Sequence, residues 1–232
     1  MELNERQKEI FDLICENKKM SVSSLAKILY VTEMTIRRDL TELSEKGYVK
    51  RYRGGAMCLP ENKSFPVSSR MHIEEDEKRA LAKKAAELLS DNINIFIDSS
   101  SSSHFLIPHI KKFENIKIIT NSVNVLLSAS GFHIPCFLIG GEYCESDMCL
   151  IGTAAEKAAF GINVDIAFMS TEGITEDGKI TDSSPDITGV KEGIMTGANK
   201  KVFLFEKSKV GVKGLYTICR KDDENVVVVT LF

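Results

Sequence analysis

Apolar residues recur at helical spacing in three segments near the start of the chain. This spacing predicts helices over residues 4–16, 21–29 and 32–43. In the third segment, Ile36, Leu40 and Leu43 fall on one narrow face. Arg38 and Thr41 point away from that face. One side of this helix is therefore suited to packing, and the other side is polar and free to contact a partner.

The residues around the third segment predict where this helix begins and ends. Thr32 is a residue type favoured at helix N-caps, and Gly47 suits the C′ position. Residues 48–56 then predict a β-hairpin that turns at Gly54-Gly55. Three helices followed by a hairpin predict a winged helix-turn-helix, in which the third helix enters the major groove of DNA.

Seven polar and basic residues of this unit are predicted to contact double-stranded operator DNA. They are Thr35, Arg37, Arg38 and Thr41 on the helix, and Lys50, Arg51 and Arg53 on the hairpin. Arginines of the helix can bond bases, although phosphate contact is the commoner fate of an arginine. Asp39 lies near the core edge of the helix, so we expect it to orient an arginine. The plainer alternative is a solvated amphipathic helix with solvated charges on the hairpin.

Charge is unevenly distributed along the chain. The whole chain carries a formal net charge of −3, which is not typical of a DNA-binding protein. Between residues 18 and 53, however, nine Lys or Arg residues stand against four Asp or Glu residues. This local positive charge lies where DNA phosphates would bind.

From residue 93 onward, short apolar runs alternate with helical segments. The runs predict strands over residues 95–97, 116–119, 136–139, 164–169, 202–205 and 226–230. Helices are predicted over residues 102–110, 123–130, 154–160 and 188–196. This alternation is typical of parallel strands joined by crossover helices, so the predicted fold class is α/β.

Small, polar or charged residues follow five successive strands of this domain. The predicted site residues among them are Asp98, Ser99, Ser100, Ser101, Ser102, Ser103, Thr120, Asn121, Ser122, Gly140, Gly141, Glu172, Gly173 and Lys209. The carboxyl ends of strands in an open α/β sheet line one crevice, where ligands bind. Hydroxyl groups that lead into a helix N-terminus suit a phosphate. We therefore predict a phosphate-binding effector site, with ordinary loops and a surface lysine as the alternative.

Two sets of residues resemble one known family. Thr35-Ile36-Arg37-Arg38-Asp39-Leu40, with Leu43, Gly47, Arg51 and Gly54-Gly55-Ala56, resembles the N-terminal signature of the DeoR family of bacterial sugar-metabolism regulators. The serine-rich loop and the other polar loops, ending with Ser208-Lys209-Val210-Gly211, resemble the effector-domain motifs of that family. The resemblance implies a C-terminal fold similar to ribose-5-phosphate isomerase and an effector that is a phosphorylated sugar.

Three residues depart from the family pattern. Arg53 stands where members usually carry a histidine, Ser100 where the loop usually has glycine, and Glu206 where the last loop usually has aspartate. Arg53 keeps a hydrogen-bond donor and adds permanent charge. A Cβ at Ser100 is expected to restrict close approach to phosphate, and the longer side chain of Glu206 to shift a hydroxyl contact.

The predicted organisation has three parts: a winged helix-turn-helix over residues 1–57, a linker over residues 58–74 and an effector and oligomerisation domain over residues 75–232. We predict a sequence-specific transcriptional regulator, a repressor of a sugar-catabolic operon that a phosphorylated sugar controls. Because one recognition helix reads few bases, a homodimer or homotetramer is expected.

Two other functions stay open from the residues alone. In the first, Asp98, Glu172 and Lys209 act as acid, base and electrostatic clamp of a sugar-phosphate isomerase that carries a DNA-binding appendage. In the second, the protein binds DNA, and its C-terminal domain has lost its ligand and only oligomerises.

Composition predicts a cytoplasmic protein that needs no membrane, metal or cofactor. No apolar run reaches the roughly 18 residues of a membrane span, and the charged N-terminus does not resemble a signal peptide. The six cysteines include no C-x-x-C pair, and only four histidines are present. We expect the cysteines to be reduced thiols with structural roles.

Overall fold

A computed structural model describes residues 3–58 and 66–231. The chain divides into two compact units, residues 1–73 and 74–232. Within the described ranges, no helix is both long enough and apolar enough to cross a membrane.

The first unit combines three helices with a small antiparallel sheet. The helices are α1 (Glu5–Asn17), α2 (Val22–Ile28) and α3 (Glu33–Glu45), and the strands are β1 (Lys19–Ser21), β2 (Val49–Tyr52) and β3 (Gly55–Cys58). The strand order is β1-β3-β2. Apolar side chains of all three helices, including Phe11, Leu25 and Leu40, are buried in one core. The predicted winged helix-turn-helix is confirmed, and β1 is an addition that was not predicted.

Both ends of α3 are fixed by the residues that the sequence indicated. At the start, the Thr32 side chain accepts a hydrogen bond from the Thr35 N–H at 3.2 Å. At the end, the Tyr48 N–H donates to the Leu43 carbonyl at 2.8 Å across Gly47, whose φ is +75°. This six-residue closure is typical of a Schellman motif, which pairs carbonyl groups of the last helical turn.

The turn of the hairpin lies one residue earlier than predicted. Tyr52 pairs with Gly55, so the two-residue loop is Arg53-Gly54 and not Gly54-Gly55. Gly54 has a φ of +96°, a conformation that favours glycine. A Cβ on Gly55 would lie 2.2 Å from the carbonyl oxygen of Met20. Gly55 is therefore required by the close approach of β1, and not by the turn.

The range predicted as a linker, residues 58–74, is only partly described, because residues 59–65 lie outside the described residues. The remainder contains a helical turn, α4 (Val67–Arg70), in which Val67 and Ser69 are buried. The rings of Tyr48 and His72 lie 6.2 Å apart, so this stretch packs within the first unit. The domain boundaries themselves stay a prediction.

The second unit is built on a six-stranded parallel sheet. Its strands are β4 (Asn94–Ile97), β5 (Lys117–Thr120), β6 (Cys136–Leu138), β9 (Val164–Met169), β12 (Ala198–Leu204) and β14 (Val226–Val229). All pairings between these strands are parallel. The six predicted strands and the α/β class are therefore confirmed.

Smaller strands and helices complete this unit. The extra strands are the hairpin of β7 (Glu142–Cys144) and β8 (Cys149–Ile151), and the antiparallel sheet of β10 (Gly173–Ile174), β11 (Lys179–Asp182) and β13 (Tyr216–Arg220). The helices are α5 (Glu75–Ala85), α6 (Ser101–His104), α7 (Ile107–Ile110), α8 (Val123–Gly131), α9 (Thr153–Phe160) and α10 (Pro185–Gly197), with 3-10 turns at Ala86–Leu88 and Lys207–Lys209.

The helix predicted over residues 102–110 is divided into α6 and α7. Pro108 stands in the first turn of α7, where its missing N–H is tolerated. A continuous helix would need that N–H as a donor to residue 104, so the chain breaks and starts a new turn.

Apolar side chains cover both faces of the parallel sheet. Ile95 and Ile97 belong to one core, whereas Phe96 between them belongs to the other. This alternation follows from the two-residue period of a strand, and it explains why the strands are apolar throughout.

The order of strands in the sheet reverses at its centre. The order is β14-β12-β9-β4-β5-β6, so the chain adds β5 and β6 on one side of β4 and then β9, β12 and β14 on the other. Such a reversal opens a crevice at the carboxyl ends of the two central strands. The loops after β4 and β9 flank this point.

Candidate functional site

The outward face of α3 carries two arginines in weak, exposed ion pairs. Arg38 has a side chain that is 82% exposed and lies 3.4 Å from Glu42. Arg37 lies 3.1 Å from Glu33, and both of these side chains are about half exposed. Exposed pairs of this kind contribute little to stability, so either guanidinium can exchange its carboxylate for a DNA phosphate or base.

One hydrogen bond ties the hairpin to α3. Arg51 Nη1 donates to Thr41 Oγ1 at 2.7 Å, and Thr41 Oγ1 donates to the carbonyl of Arg37 at 2.8 Å. Lys50 and Arg53 are exposed on the same hairpin. The structure thus joins Thr41 and Arg51 directly, and it leaves the other two basic hairpin residues available to a ligand.

Asp39 is buried and pairs with an arginine that the sequence did not indicate. Arg6 Nε donates to Asp39 Oδ2 at 2.7 Å, and Arg6 Nη2 donates to Asp39 Oδ1 at 3.2 Å. This hydrogen bond and the attraction of Asp39 raise the pKa of Arg6. The expectation that Asp39 orients an arginine is confirmed, and the pair fixes α1 against α3.

The Asp98 carboxylate lies at the centre of the second unit's crevice and is almost completely buried. Asp98 Oδ1 accepts hydrogen bonds from the Ser100 N–H at 3.1 Å, from Ser100 Oγ at 2.6 Å and from Ser103 Oγ. Asp98 Oδ2 accepts from the Ser170 N–H at 3.1 Å. Asp98 therefore links the loops on the two sides of the strand reversal.

Lys191 completes this cluster and was not predicted. Its buried Nζ donates to the Ser170 carbonyl at 2.6 Å and to Asp182 Oδ2 at 2.9 Å, and it lies 3.5 Å from Asp98 Oδ2. Burial acts to lower the pKa of Lys191, but the attraction of Asp182 and Asp98 outweighs it and raises that pKa. The sequence contained a signal for this burial, because Lys191 follows Val190 and lies with it on the buried face of α10.

A second cationic cluster surrounds Glu206, which is fully buried. Lys209 Nζ lies 2.9 Å from Glu206 Oε2, 2.8 Å from Ser170 Oγ and 3.4 Å from Ser102 Oγ. Ser102 Oγ donates to the other oxygen of Glu206. Burial acts to raise the pKa of Glu206, but attraction to Lys209 and to the buried Lys78 lowers it overall.

Serine side chains of the serine-rich loop stabilise the fold of the loop itself to a greater extent than the sequence indicated. Ser100 caps α6, because its side chain accepts the Ser103 N–H at 3.2 Å. Its φ of −71° is ordinary, so serine replaces the usual glycine here without backbone strain. Ser99 and Ser101 are buried in the same loop.

The last residue of β5 and the residues after it form a neighbouring group. Thr120 Oγ1 donates to the Ile97 carbonyl at 2.6 Å and accepts the Ser122 N–H at 3.0 Å. Asn121 Nδ2 donates to the Leu150 carbonyl at 3.0 Å. Asn121 Oδ1 is buried and has no hydrogen-bond partner among the described residues. This oxygen is an acceptor that a ligand donor can satisfy.

In the described part of the chain, Gly140, Gly141, Glu172 and Gly173 are not part of the hydrogen-bonded Asp98 cluster. Gly140-Gly141 is exposed after β6. Glu172 accepts a hydrogen bond from Ser183 Oγ. Gly173 is held by packing, since a Cβ there would lie 2.5 Å from the Val212 carbonyl oxygen. The structure therefore groups Asp98, Ser100, Ser102, Ser103 and Lys209 and leaves these four residues outside that group.

The grouped side chains offer hydroxyls, carboxylates and ammonium groups. Among the residues that the structure describes, no group of three or more His, Cys, Asp or Glu residues is placed to hold a metal ion. Such a set can bind a polar anion through hydrogen bonds and charge.

Comparison with known families decides between the possible functions. Residues 6–61 match the DeoR-like helix-turn-helix domain, and residues 73–230 match the DeoR C terminal sensor domain. The chain belongs to the DeoR family. This family consists of transcriptional regulators, so the DeoR-family protein described here is a regulator of transcription.

Known proteins similar to this DeoR-family regulator match it along most of its length. It is 30% identical to the HTH-type transcriptional regulator GolR of Listeria innocua, over 97% of this chain and 89% of that protein. It is 27% identical to the glycerol-3-phosphate regulon repressor of Escherichia coli, over 91% of this chain and 84% of that protein. Regulators therefore match most of the chain, and the isomerase alternative is not favoured.

Among solved structures, the DeoR-family chain is similar to ribose 5-phosphate isomerase A of Methanocaldococcus jannaschii. The two share 19% identity with a TM-score of 0.45, over 59% of this chain and 55% of that chain.

Proposed function

We propose that this regulator is a cytoplasmic repressor of genes for the use of a sugar, and that it binds operator DNA as a homodimer or homotetramer. A phosphorylated sugar bound in the crevice of the second unit controls its DNA binding. The assignment of Arg38 and the other six predicted DNA contacts to the operator is part of this proposal.

The observation that carries the proposal is the position of Lys209. Its side chain is 24% exposed at the crevice, while its Nζ contacts Ser102 and Ser170 at the carboxyl ends of two strands. Lys78 provides a second positive charge near Glu206. A phosphate dianion suits such a place, because charge-assisted bonds to lysine are stronger than neutral ones.

The sugar would be recognised by the neighbouring groups. Asp98 can accept hydrogen bonds from hydroxyls, and Asn121 Oδ1 needs a donor. Carboxylate and amide oxygens in a buried site select for a ligand that carries hydroxyls at the right positions.

Control of DNA binding would follow from linkage. If the sugar phosphate binds better to an arrangement that no longer matches the spacing of operator half-sites, it weakens operator binding. The operator must then weaken sugar phosphate binding by the same factor. Repression would end when the sugar phosphate accumulates.

Calorimetry on the full-length protein tests this proposal. The ligands are a panel of aldose and ketose phosphates, each compared with its unphosphorylated sugar. Operator affinity is measured in parallel on DNA that the protein selects from a random pool. We expect at least one sugar phosphate to bind and to change operator affinity. Equal affinity for the phosphorylated and free sugar would contradict the phosphate site, and no binding across the panel would favour a domain that only oligomerises.

A further inference from the structure

Two cysteines of the first unit lie side by side, although they are 43 positions apart in the chain. Cys15 is on α1, and Cys58 is the last residue of β3. Their Sγ atoms are 3.2 Å apart, and both residues are half-buried. A disulfide needs an S–S distance of about 2.05 Å, so the sulfurs must approach by only about 1 Å.

The backbone holds these two residues next to each other. The Cys58 N–H donates to the Lys18 carbonyl at 3.0 Å, and the Lys18 N–H donates to the Cys15 carbonyl at 3.4 Å. Cys58 also pairs with Val49 in the β2–β3 ladder. The fold therefore holds the two backbones next to each other, which brings the sulfurs within reach of one another.

We propose that Cys15 and Cys58 form a reversible disulfide that ties α1 to the end of the hairpin. The oxidant is a low-molecular-weight disulfide such as glutathione disulfide. One cysteine thiolate attacks this oxidant, which forms a mixed disulfide and releases one glutathione thiol. The second cysteine thiolate attacks the protein-bound sulfur, which closes the Cys15–Cys58 bond and releases a second glutathione thiol. Two protein thiols are oxidised, one glutathione disulfide is reduced, and the released thiols take up the two protons.

The bond would enclose most of the DNA-binding unit. The closed loop runs from α1 through α2 and α3 to β3, and it contains both Arg38 and Lys50. A cross-link between distant positions lowers the entropy of the unfolded chain, so it stabilises the fold when the native geometry already fits. The modification therefore protects the DNA-binding unit under oxidising conditions, and reducing thiols reverse it.

Peptide mapping of the full-length protein tests the bond directly. The reduced protein is exposed to glutathione disulfide, quenched with acid, blocked with N-ethylmaleimide and digested with trypsin. Cleavage after Lys and Arg places Cys15 in residues 9–18 and Cys58 in residues 54–63, each as the single cysteine of its peptide. We expect these two peptides to be linked, to separate on reduction, and to stay unlinked in the Cys15→Ser and Cys58→Ser variants.

Thermal melting provides a second measurement, made first on the wild-type protein. Oxidised wild-type protein should show a melting temperature for the first unit that is higher by roughly 5 °C or more. The matched Cys15→Ser variant should show no rise with the oxidant. Glutathione that stays on either cysteine without a linked peptide would overturn the proposal, and so would a linked protein that melts below the reduced one.

Discussion

Asp98 Oδ2 accepts a hydrogen bond from the backbone N–H of Ser170 at 3.1 Å. Asp98 follows β4 and Ser170 follows β9, so this bond joins the loops on either side of the strand reversal. Lys191 contacts both of these residues from α10. A single buried lysine therefore holds together the loops that would surround the effector.

Replacing Lys191 with Met should destabilise the second unit by about 3–5 kcal/mol, because Asp98 and Asp182 would stay buried without their cation. Urea denaturation followed by circular dichroism measures this loss. Lys157→Met on α9 is the matched control, since Lys157 is exposed, and it should change stability by less than about 0.5 kcal/mol. Similar small losses in both variants would show that the buried ion pairs are unimportant.

The stability of the second unit should fall in acid through Asp182. Its pKa in the fold lies below the ordinary 3.8: burial acts to raise it, but the charge and hydrogen bond of Lys191 lower it overall. A lowered pKa contributes stability that is fully present above the unfolded value and is lost as pH falls through the folded value. Between about pH 5 and pH 3, Asp182→Asn should therefore lose less stability than the wild type. Urea denaturation at each pH measures the free energy of unfolding of both proteins. If this free energy falls by the same amount in the wild type and in Asp182→Asn, Asp182 does not have this role.

Replacing Arg6 with Ala should cost about 1–3 kcal/mol, because the buried Asp39 carboxylate would lose two charged donors. Thermal or urea denaturation of the first unit reports the change. Arg37→Ala is the control on stability, since its pair with Glu33 is exposed, and we expect a change within about 0.5 kcal/mol. If Arg6→Ala leaves the free energy of unfolding unchanged, water replaces the arginine as the partner of Asp39.

Arg38 and Lys50 should differ in how they affect DNA binding. Arg38→Ala should cost about 1–3 kcal/mol on the selected operator and relax preference at one base pair, if Arg38 bonds a base. Lys50→Ala should weaken all DNA sequences alike and lower the slope of log affinity against log salt by about one. Fluorescence anisotropy with specific and random duplexes separates these effects. If Arg38→Ala binds both duplexes as the wild type does, α3 is not the reading helix.

Lys209 and Lys207 provide a matched pair for the proposed phosphate contact. Lys209→Ala should weaken a phosphorylated sugar roughly tenfold or more, and it should barely change any weak binding of the free sugar. Lys207 lies in the same turn but is exposed, so Lys207→Ala should leave both affinities unchanged. Calorimetry measures the four combinations. Equal losses for phosphorylated and free sugar would place the contribution of Lys209 in folding and not in phosphate binding.

Elements with a long, regular pattern were predictable from the sequence. The helix of Ile36 and Leu40 repeats its apolar positions over about two turns, and the six apolar runs contain enough residues to identify central strands. Local chemistry also sufficed at Thr32 and Gly47, because caps depend on neighbours within a few residues.

Short elements and long-range pairs were not predictable in this way. Strand β1 has three residues, Lys19–Ser21, and its edge position is set by β3, which lies more than 30 residues away. Likewise, a lysine in an amphipathic helix is usually solvated, and only the folded topology brings Lys191 to Asp98. Sequence spacing indicated that the polar loops share one sheet edge, but it could not indicate which of their side chains satisfy each other.

The DNA-binding unit precedes the residues of the proposed effector site along the chain, and this order has a consequence during protein synthesis. The first unit ends at residue 73, whereas the crevice needs Asp98, Lys191 and Lys209, which are spread over most of the second unit. A ribosome therefore completes the DNA-binding unit long before it has made the last residue of the proposed effector site. A nascent chain that stops before Lys209 would carry a finished DNA-binding unit that the effector has no means to control.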